Sequence, residues 1–215
     1  MKTSAYELVD RMVVRYPPLE VCRIPALKAA ELICECHGSG GKLLLAGNGG
    51  SASDCEHIVG EFVKSFELPR LINGEHRRKL QNSGIPEWEH LASHLQEGVS
   101  AISLTGHSSL STAIQNDTGA DMVFAQQVYV HGRKHDILIG MSTSGNSRNI
   151  LQALIVAKAF GLTTIGFTGA NKAAMDPLCD VLIKAPATRT PEIQEFHLPI
   201  YHAICLAVEQ ELFGI

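Results

Sequence analysis

His57 and Glu61 stand four residues apart, so on a helix their side chains share one face, within reach of a common ion or substrate. A His-x-x-x-Glu pair by itself reads as a solvated surface pair. Here Ile58, Val59, Phe62 and Val63 make the rest of the segment apolar, and the helix is expected to start near Ala52, directly after Gly47-Asn48-Gly49-Gly50-Ser51. That loop lacks the later glycine of a dinucleotide fingerprint, so its glycines alone are weak evidence. A second reactive stretch is Ser142-Thr143-Ser144-Gly145-Asn146-Ser147, between the apolar run 136–140 and an apolar helix expected to begin near Asn146. Hydroxyls and free N–H groups at a positive helix end stabilise an anion, phosphate being the natural guest. An ordinary N-cap cluster is the other reading, but four hydroxyls in six residues exceed what capping requires.

A third group lies near the C-terminus. Thr190 reads as an N-cap and Pro191 as the first helical residue of a last helix, in which Gln194 and His202 are eight residues apart and share one quadrant, about 80° around the axis. His202 sits among Ile200, Tyr201, Ala203, Ile204 and Leu206, where an imidazole needs a partner. Spacing alone favours a core histidine bonded to a backbone carbonyl.

The elements that must position these residues follow from hydrophobic patterning. Short apolar runs at 42–46, 99–104, 136–140, 163–168 and 181–184 alternate with helical segments, which implies βαβ units and a five-stranded parallel sheet covered on both faces. Ligands bind such sheets at the carboxyl ends of the strands, where the glycine loop, the serine loop and Thr105-Gly106-His107-Ser108-Ser109 fall. Ahead of the sheet, helices over 3–16 and 25–36 form a preamble (1–41) expected to pack against another subunit. Residues 67–98 carry Pro69, Asn73-Gly74, Pro86 and Trp88, and read as an insertion of loop and one or two short helices, with Trp88, Leu91 and Leu95 on one face.

At 215 residues and 45% hydrophobic content the chain forms one domain, 1–215, with a single large core. A net charge of -4 offers no basic stripe for nucleic acid, and no apolar run approaches the roughly 20 residues of a membrane span. The six cysteines lie mostly in apolar segments without CxxC spacing or a leader, so buried reduced thiols in a cytoplasmic protein are expected.

Taken in order, Gly-Asn-Gly-Gly-Ser with Asp54, His57 and Glu61, then Asn116-Asp117, Ser142 to Ser147, and Gln194-Glu195 with His197 and His202, resembles the phosphoheptose isomerases of the sugar isomerase (SIS) superfamily. The match runs from about residue 42 to the C-terminus, and the segment 67–98 is longer than the corresponding family loop. The resemblance implies a three-layer α/β sandwich, a homotetramer, and one zinc ion per subunit on His57, Glu61, Gln194 and His202, with Glu61 and His202 as the proton-transfer pair. It further implies that Asn48, Gly49, Gly50, Ser51, Glu61, Asn116, Asp117, Ser142, Thr143, Ser144, Ser147 and Gln194 line a sugar phosphate site. The implied reaction is aldose–ketose isomerisation of sedoheptulose 7-phosphate to D-glycero-D-manno-heptose 7-phosphate, the first step towards nucleotide-activated heptose. Rival expectations are an isomerase of another ketose phosphate and a non-catalytic SIS module that senses a sugar phosphate or binds a replication initiator. Because the last helix is apolar around most of its circumference, the sequence also predicts that each site draws Glu61 and His202 from different chains.

Overall fold

The computed structural model describes residues 1–214. Five parallel strands, β1 (Leu43–Gly47), β2 (Ala101–Ser103), β3 (Ile137–Met141), β4 (Thr163–Thr168) and β5 (Val181–Lys184), form one sheet in the order β2-β1-β3-β4-β5. Strands β1 and β3 are buried along their whole length, as the continuous apolar runs require. Side chains alternate between faces. Leu43, Leu45, Ile137 and Ile139 enter one core, while Leu44, Ala46 and Leu138 enter the other, which makes the expected three-layer sandwich.

One layer holds α1 (Thr3–Arg15), α2 (Arg23–Gly38), α3 (Gly50–Val63) and α9 (Thr190–Phe213); the other holds α6 (Ser108–Asp117), α7 (Val123–His131) and α8 (Arg148–Ala159). The insertion contains α4 (Gly74–Asn82) and α5 (Trp88–His94), in line with one or two short helices. Its proposed apolar face is not a packing face. Only Ala92 of α5 is buried, Leu95 lies past the helix end and is exposed, and Arg77 stacks over Trp88.

The N-terminal helices pack on α9 of their own chain, so that α1, α2 and α3 cover most of α9 while Leu198 stays exposed. Thr190 is the first helical residue and not the cap; Arg189 takes the cap position in extended conformation.

The strand order reverses between β1 and β3, whose register pairs Gly47 with Met141. A crevice opens outside the carboxyl ends of the strands at such a reversal. The glycine loop leaves β1 and the serine loop leaves β3 at this point. All six cysteines are free, with Cys22, Cys36, Cys55 and Cys205 buried. No described helix is long and apolar enough to cross a membrane.

Candidate active site

The two loops at the crevice are tied together. Asn48 Nδ2 donates to Asn149 Oδ1 at 3.0 Å and Asn149 Nδ2 returns the bond to Asn48 Oδ1 at 2.8 Å, joining the end of β1 to the first turn of α8. Sequence reading missed Asn149; its only signal is a polar residue in the first turn of an otherwise apolar helix. Gly49 caps α3 with φ of 56°, a left-handed position suited to glycine. Ser51 behind it is buried.

In the serine loop, Ser142 Oγ donates to Ser147 Oγ at 3.0 Å, and Ser144 Oγ accepts the Asn146 N–H at 3.2 Å. Helix α8 begins at Arg148 rather than near Asn146, with Ser147 as its cap residue but with no side-chain cap bond. The Ser147 hydroxyl is therefore turned to the loop, and the N–H groups of Ser147, Arg148 and Asn149 find no acceptor among the described residues. Gly145 has φ of 64°, and a Cβ there would collide with Ala173 and Thr168, so only glycine permits this turn. Thr143 and Ser144 face a cavity of about 280 Å³ shared with Thr168, Gly169, Thr188 and Thr190.

The charged residues converge where α3 and α9 run side by side. His57 Nε2 lies 3.1 Å from Glu61 Oε1 and 3.4 Å from His202 Nε2, within a single chain. The expectation that Glu61 and His202 come from different chains is thus corrected for this pair, since α9 runs beside α3 and brings His202 to the helix that carries Glu61 within one polypeptide. Glu61 is largely buried and its Oε2 has no hydrogen-bond partner, the nearest cation being Lys64 Nζ at 4.0 Å. Burial, with His57 beside it, pushes the His202 imidazole below its ordinary range against the opposing pull of Glu61. His202 is therefore biased to the neutral form near pH 7, able to accept a proton.

Around this core, Tyr201 places its hydroxyl 3.0 Å from His57 Nδ1 and donates to Asp54 Oδ1 at 3.3 Å. The buried Glu209 carboxylate, seven residues beyond His202, accepts the N–H groups of Phe66, Glu67 and Leu68 and pairs with Arg70 Nε at 2.7 Å. Arg70 in turn donates to the carbonyls of Glu61 and Phe62 at 3.0 and 2.9 Å, closing the C-terminal end of α3. Neither Tyr201 nor the Arg70–Glu209 pair carried a local sequence signal.

Three expected members stand apart. Gln194 leans on Gly50, where a Cβ would strike its amide, and among the described residues it makes no hydrogen bond to His57, Glu61 or His202. Eight residues separate it from His202, about 12 Å along the helix axis. Asn116 and Asp117 are exposed at the end of α6, hydrogen-bonded to each other at 2.9 Å and to none of the other expected residues. Among the described residues no three or more His, Cys, Asp and Glu side chains are spread around a common centre as a formed metal cage; His57, Glu61 and His202 instead touch pairwise through His57.

His197, one turn before Tyr201, is fully buried, with Nε2 3.3 Å from the Thr168 carbonyl and Nδ1 unpartnered. Burial depresses it from 6.5 to about 4. Between these values the unfolded chain binds more protons, so this contribution to stability is complete above about pH 6.5 and declines as pH falls towards 4. Urea titrations from pH 7 to 4 should show a loss of about 3 kcal/mol from this group, and His197→Gln should flatten that part of the profile. An unchanged profile in the variant would remove His197 as its source.

The chain matches the SIS domain family over residues 96–169. Over 192 residues it is 44% identical to phosphoheptose isomerase 2 of Campylobacter jejuni, covering 89% of this chain and 83% of that protein. Its fold is similar to that of phosphoheptose isomerase GmhA from Neisseria gonorrhoeae, with a TM-score of 0.71, 32% identity and 93% of each chain covered. It is likewise similar to a phosphoheptose isomerase from Francisella tularensis, with a TM-score of 0.75, 27% identity and 96% of this chain and 95% of that one covered.

Proposed function

The chain belongs to the phosphoheptose isomerase family of SIS-domain proteins, and on that premise we propose that it converts sedoheptulose 7-phosphate to D-glycero-D-manno-heptose 7-phosphate with Glu61 and His202 as the proton-transfer pair. The product is the first intermediate towards nucleotide-activated heptose. The observation that carries the assignment of roles is the meeting of Glu61 and His202 on His57 within one chain.

Isomerisation moves one hydrogen between adjacent carbons and one between adjacent oxygens. Glu61, whose Oε2 is buried without a partner, takes a proton from C1 of the ketose and leaves an enediol; a proton delivered from Glu61 to C2, after exchange with solvent, completes the aldose. His202, held below its ordinary range by burial, carries the proton between the two oxygens. Ser142, Thr143, Ser144 and Ser147, with the free N–H groups of the first turn of α8, bind the phosphate dianion through charge-assisted hydrogen bonds. Asn48, Gly49, Gly50, Ser51 and Gln194 border the sugar chain between phosphate and base. Asn116 and Asp117 are assigned to sugar hydroxyls on the resemblance alone.

The resemblance implies a zinc ion on this cluster. The approach of the His57 and His202 Nε2 atoms to 3.4 Å and the unpartnered Glu61 Oε2 support that reading, and His57, Glu61 and His202 would hold the ion, although the described residues form no ready cage of three or more His, Cys, Asp and Glu side chains. Such an ion would polarise the carbonyl oxygen as a Lewis acid. Gln194, which rests on Gly50, is better placed for the sugar than for the metal.

Val14, Val21 and Ile24 expose apolar side chains on the N-terminal segment, which supports assembly of several copies, a homotetramer in this reading. Six unpaired thiols support a cytoplasmic setting.

A panel of ketose phosphates tests the substrate, and sedoheptulose 7-phosphate is expected to turn over fastest. Replacing both Ser142 and Ser147 by Ala should raise KM for every phosphate in the panel, at about 1.5 to 3 kcal/mol per lost bond to the charged group. Calorimetry showing unchanged ligand affinity in that double variant would place the phosphate elsewhere.

A further inference from the structure

The serine loop offers its guest hydroxyls and backbone N–H groups, which carry only partial charges, whereas a phosphate is a dianion. A full positive charge close by would complete the site. Three cations around the crevice are already engaged: Arg148 with Asp121 at 2.9 Å, Lys184 with Asp176 at 2.7 Å and Arg189 with Glu192 at 2.9 Å. Lys172 is not. Among the described residues it forms no ion pair or hydrogen bond, and the acid nearest to it in sequence, Asp176, is the one that Lys184 holds. Lys172 lines the cavity of about 280 Å³ that Thr143 and Ser144 face, together with Thr168, Thr188 and Thr190, and no carboxylate lines that cavity. Hydroxyls, amides and one ammonium without an opposing acid are the chemistry of an anion site. The fold also fixes where this lysine stands. Its loop, between β4 and β5, is laced to the serine loop: the Gly169 N–H donates to the Thr143 carbonyl at 3.1 Å, the Ala174 N–H to Asn146 Oδ1 at 2.9 Å and the Met175 N–H to the Gly145 carbonyl at 3.1 Å. Lys184 Nζ donates to the Asn171 carbonyl at 3.1 Å, one residue before Lys172. The backbone is thus anchored on both sides of Lys172, while the side chain is exposed and free to turn into the cavity.

We propose that Lys172 is the cationic arm of the phosphate site, closing on the dianion held by Ser142 to Ser147 and making the site select phosphorylated sugars over neutral ones; this rests on the reading of the serine loop as the phosphate site. A lysine suits the task because its ammonium is a compact charge with three donors on a flexible stem, able to bond an oxygen that the rigid loop leaves open. It is a binding residue and takes no part in the proton transfers.

The test titrates the full chain with inorganic phosphate, followed by phosphorus NMR, and repeats the measurement as competitive inhibition of turnover. Lys172→Met should weaken phosphate binding about 10-fold, the lower end for a hydrogen bond to a charged group. KM for the sugar phosphate should rise in the same proportion with kcat unchanged, the mark of an interaction made equally in the ground and transition states. Lys172→Arg, which keeps the charge, should recover most of the affinity. Added salt should weaken phosphate binding to the wild type more than to Lys172→Met, because screening acts on the charge that the variant lacks. A Lys172→Met variant with wild-type phosphate affinity, or a Lys172→Arg variant as weak as Lys172→Met, would overturn the proposal. Weakening by the double variant Ser142→Ala with Ser147→Ala but not by Lys172→Met would leave the serine loop as the phosphate site and remove Lys172 alone. A wild type that binds no phosphate would remove both. The titration decides whichever ketose phosphate is the substrate.

Discussion

Glu61→Gln is expected to lose turnover by at least the 10²- to 10⁴-fold that a positioned general base contributes, while sugar phosphate binding and the fold persist. The amide keeps the size and one acceptor of the carboxylate but cannot take a proton. Glu61 Oε1 already faces His57, whereas Oε2 is buried without a partner. Oε2 is therefore the atom left free to meet the substrate. Glu61→Gln should be mild for stability, since the amide keeps the size of the side chain and a polar atom facing His57. Binding should survive because the phosphate contacts lie on the serine loop. Calorimetry with the sugar phosphate separates the two effects: unchanged affinity with lost turnover assigns Glu61 to the chemical step, and retained wild-type turnover removes it from the mechanism.

The second large effect is expected at Glu209. Both members of the Arg70–Glu209 pair are 1% exposed in their side chains. Burial alone would raise the Glu209 carboxyl, but the N–H groups of Phe66, Glu67 and Leu68 and the Arg70 guanidinium outweigh it and hold the group below its ordinary range. Breaking a buried pair by removing one partner costs about 3 to 5 kcal/mol, because the other charge is left uncompensated. Glu209→Gln should lower stability by that amount in urea unfolding. A simple buried pair can often be replaced by apolar residues without loss. Here the double variant Arg70→Met with Glu209→Leu should remain destabilised, since three backbone N–H groups and the carbonyls of Glu61 and Phe62 also lose their partners. Recovery of wild-type stability in the double variant would reduce the network to its ion pair. Turnover should fall with Glu209→Gln as well, because Arg70 closes the end of α3 that carries Glu61, and Phe66, bonded to Glu209, lies 5.4 Å ring to ring from His202.

The legible parts of this protein are those written locally. Continuous apolar runs marked β1 and β3 because a parallel strand covered on both faces has no polar side, and the serine loop announced itself through hydroxyls at a strand-to-helix turn. The His57–Glu61 pair was readable from helical spacing. His202 was not, because an imidazole in an apolar helix has the same local pattern whether it meets a carbonyl or a second histidine 145 positions away; the family resemblance, not the spacing, selected it. Spacing also placed Gln194 and His202 in one quadrant without showing that about 12 Å of helix and contact with Gly50 keep the amide from the histidines. The cover of α9 was only partly legible for a related reason. Apolarity all round a helix demands cover, but it cannot say whether the cover is α1 and α2 of the same chain or another subunit. The Arg70–Glu209 pair spans 139 positions, and no periodicity reports such a contact.

The central claim, proton-transfer isomerisation through Glu61 and His202, is tested most directly by following sedoheptulose 7-phosphate in D2O by proton NMR with the wild type and with Glu61→Gln. A base that exchanges with solvent between removing a proton from C1 and delivering one to C2 places deuterium at C2 of the aldose. The wild type should produce the heptose 7-phosphate with deuterium at that carbon, and Glu61→Gln should produce neither the aldose nor exchange at C1 of the ketose. Aldose formed with full retention of hydrogen at C2, or labelled product formed by Glu61→Gln at the wild-type rate, would contradict the account.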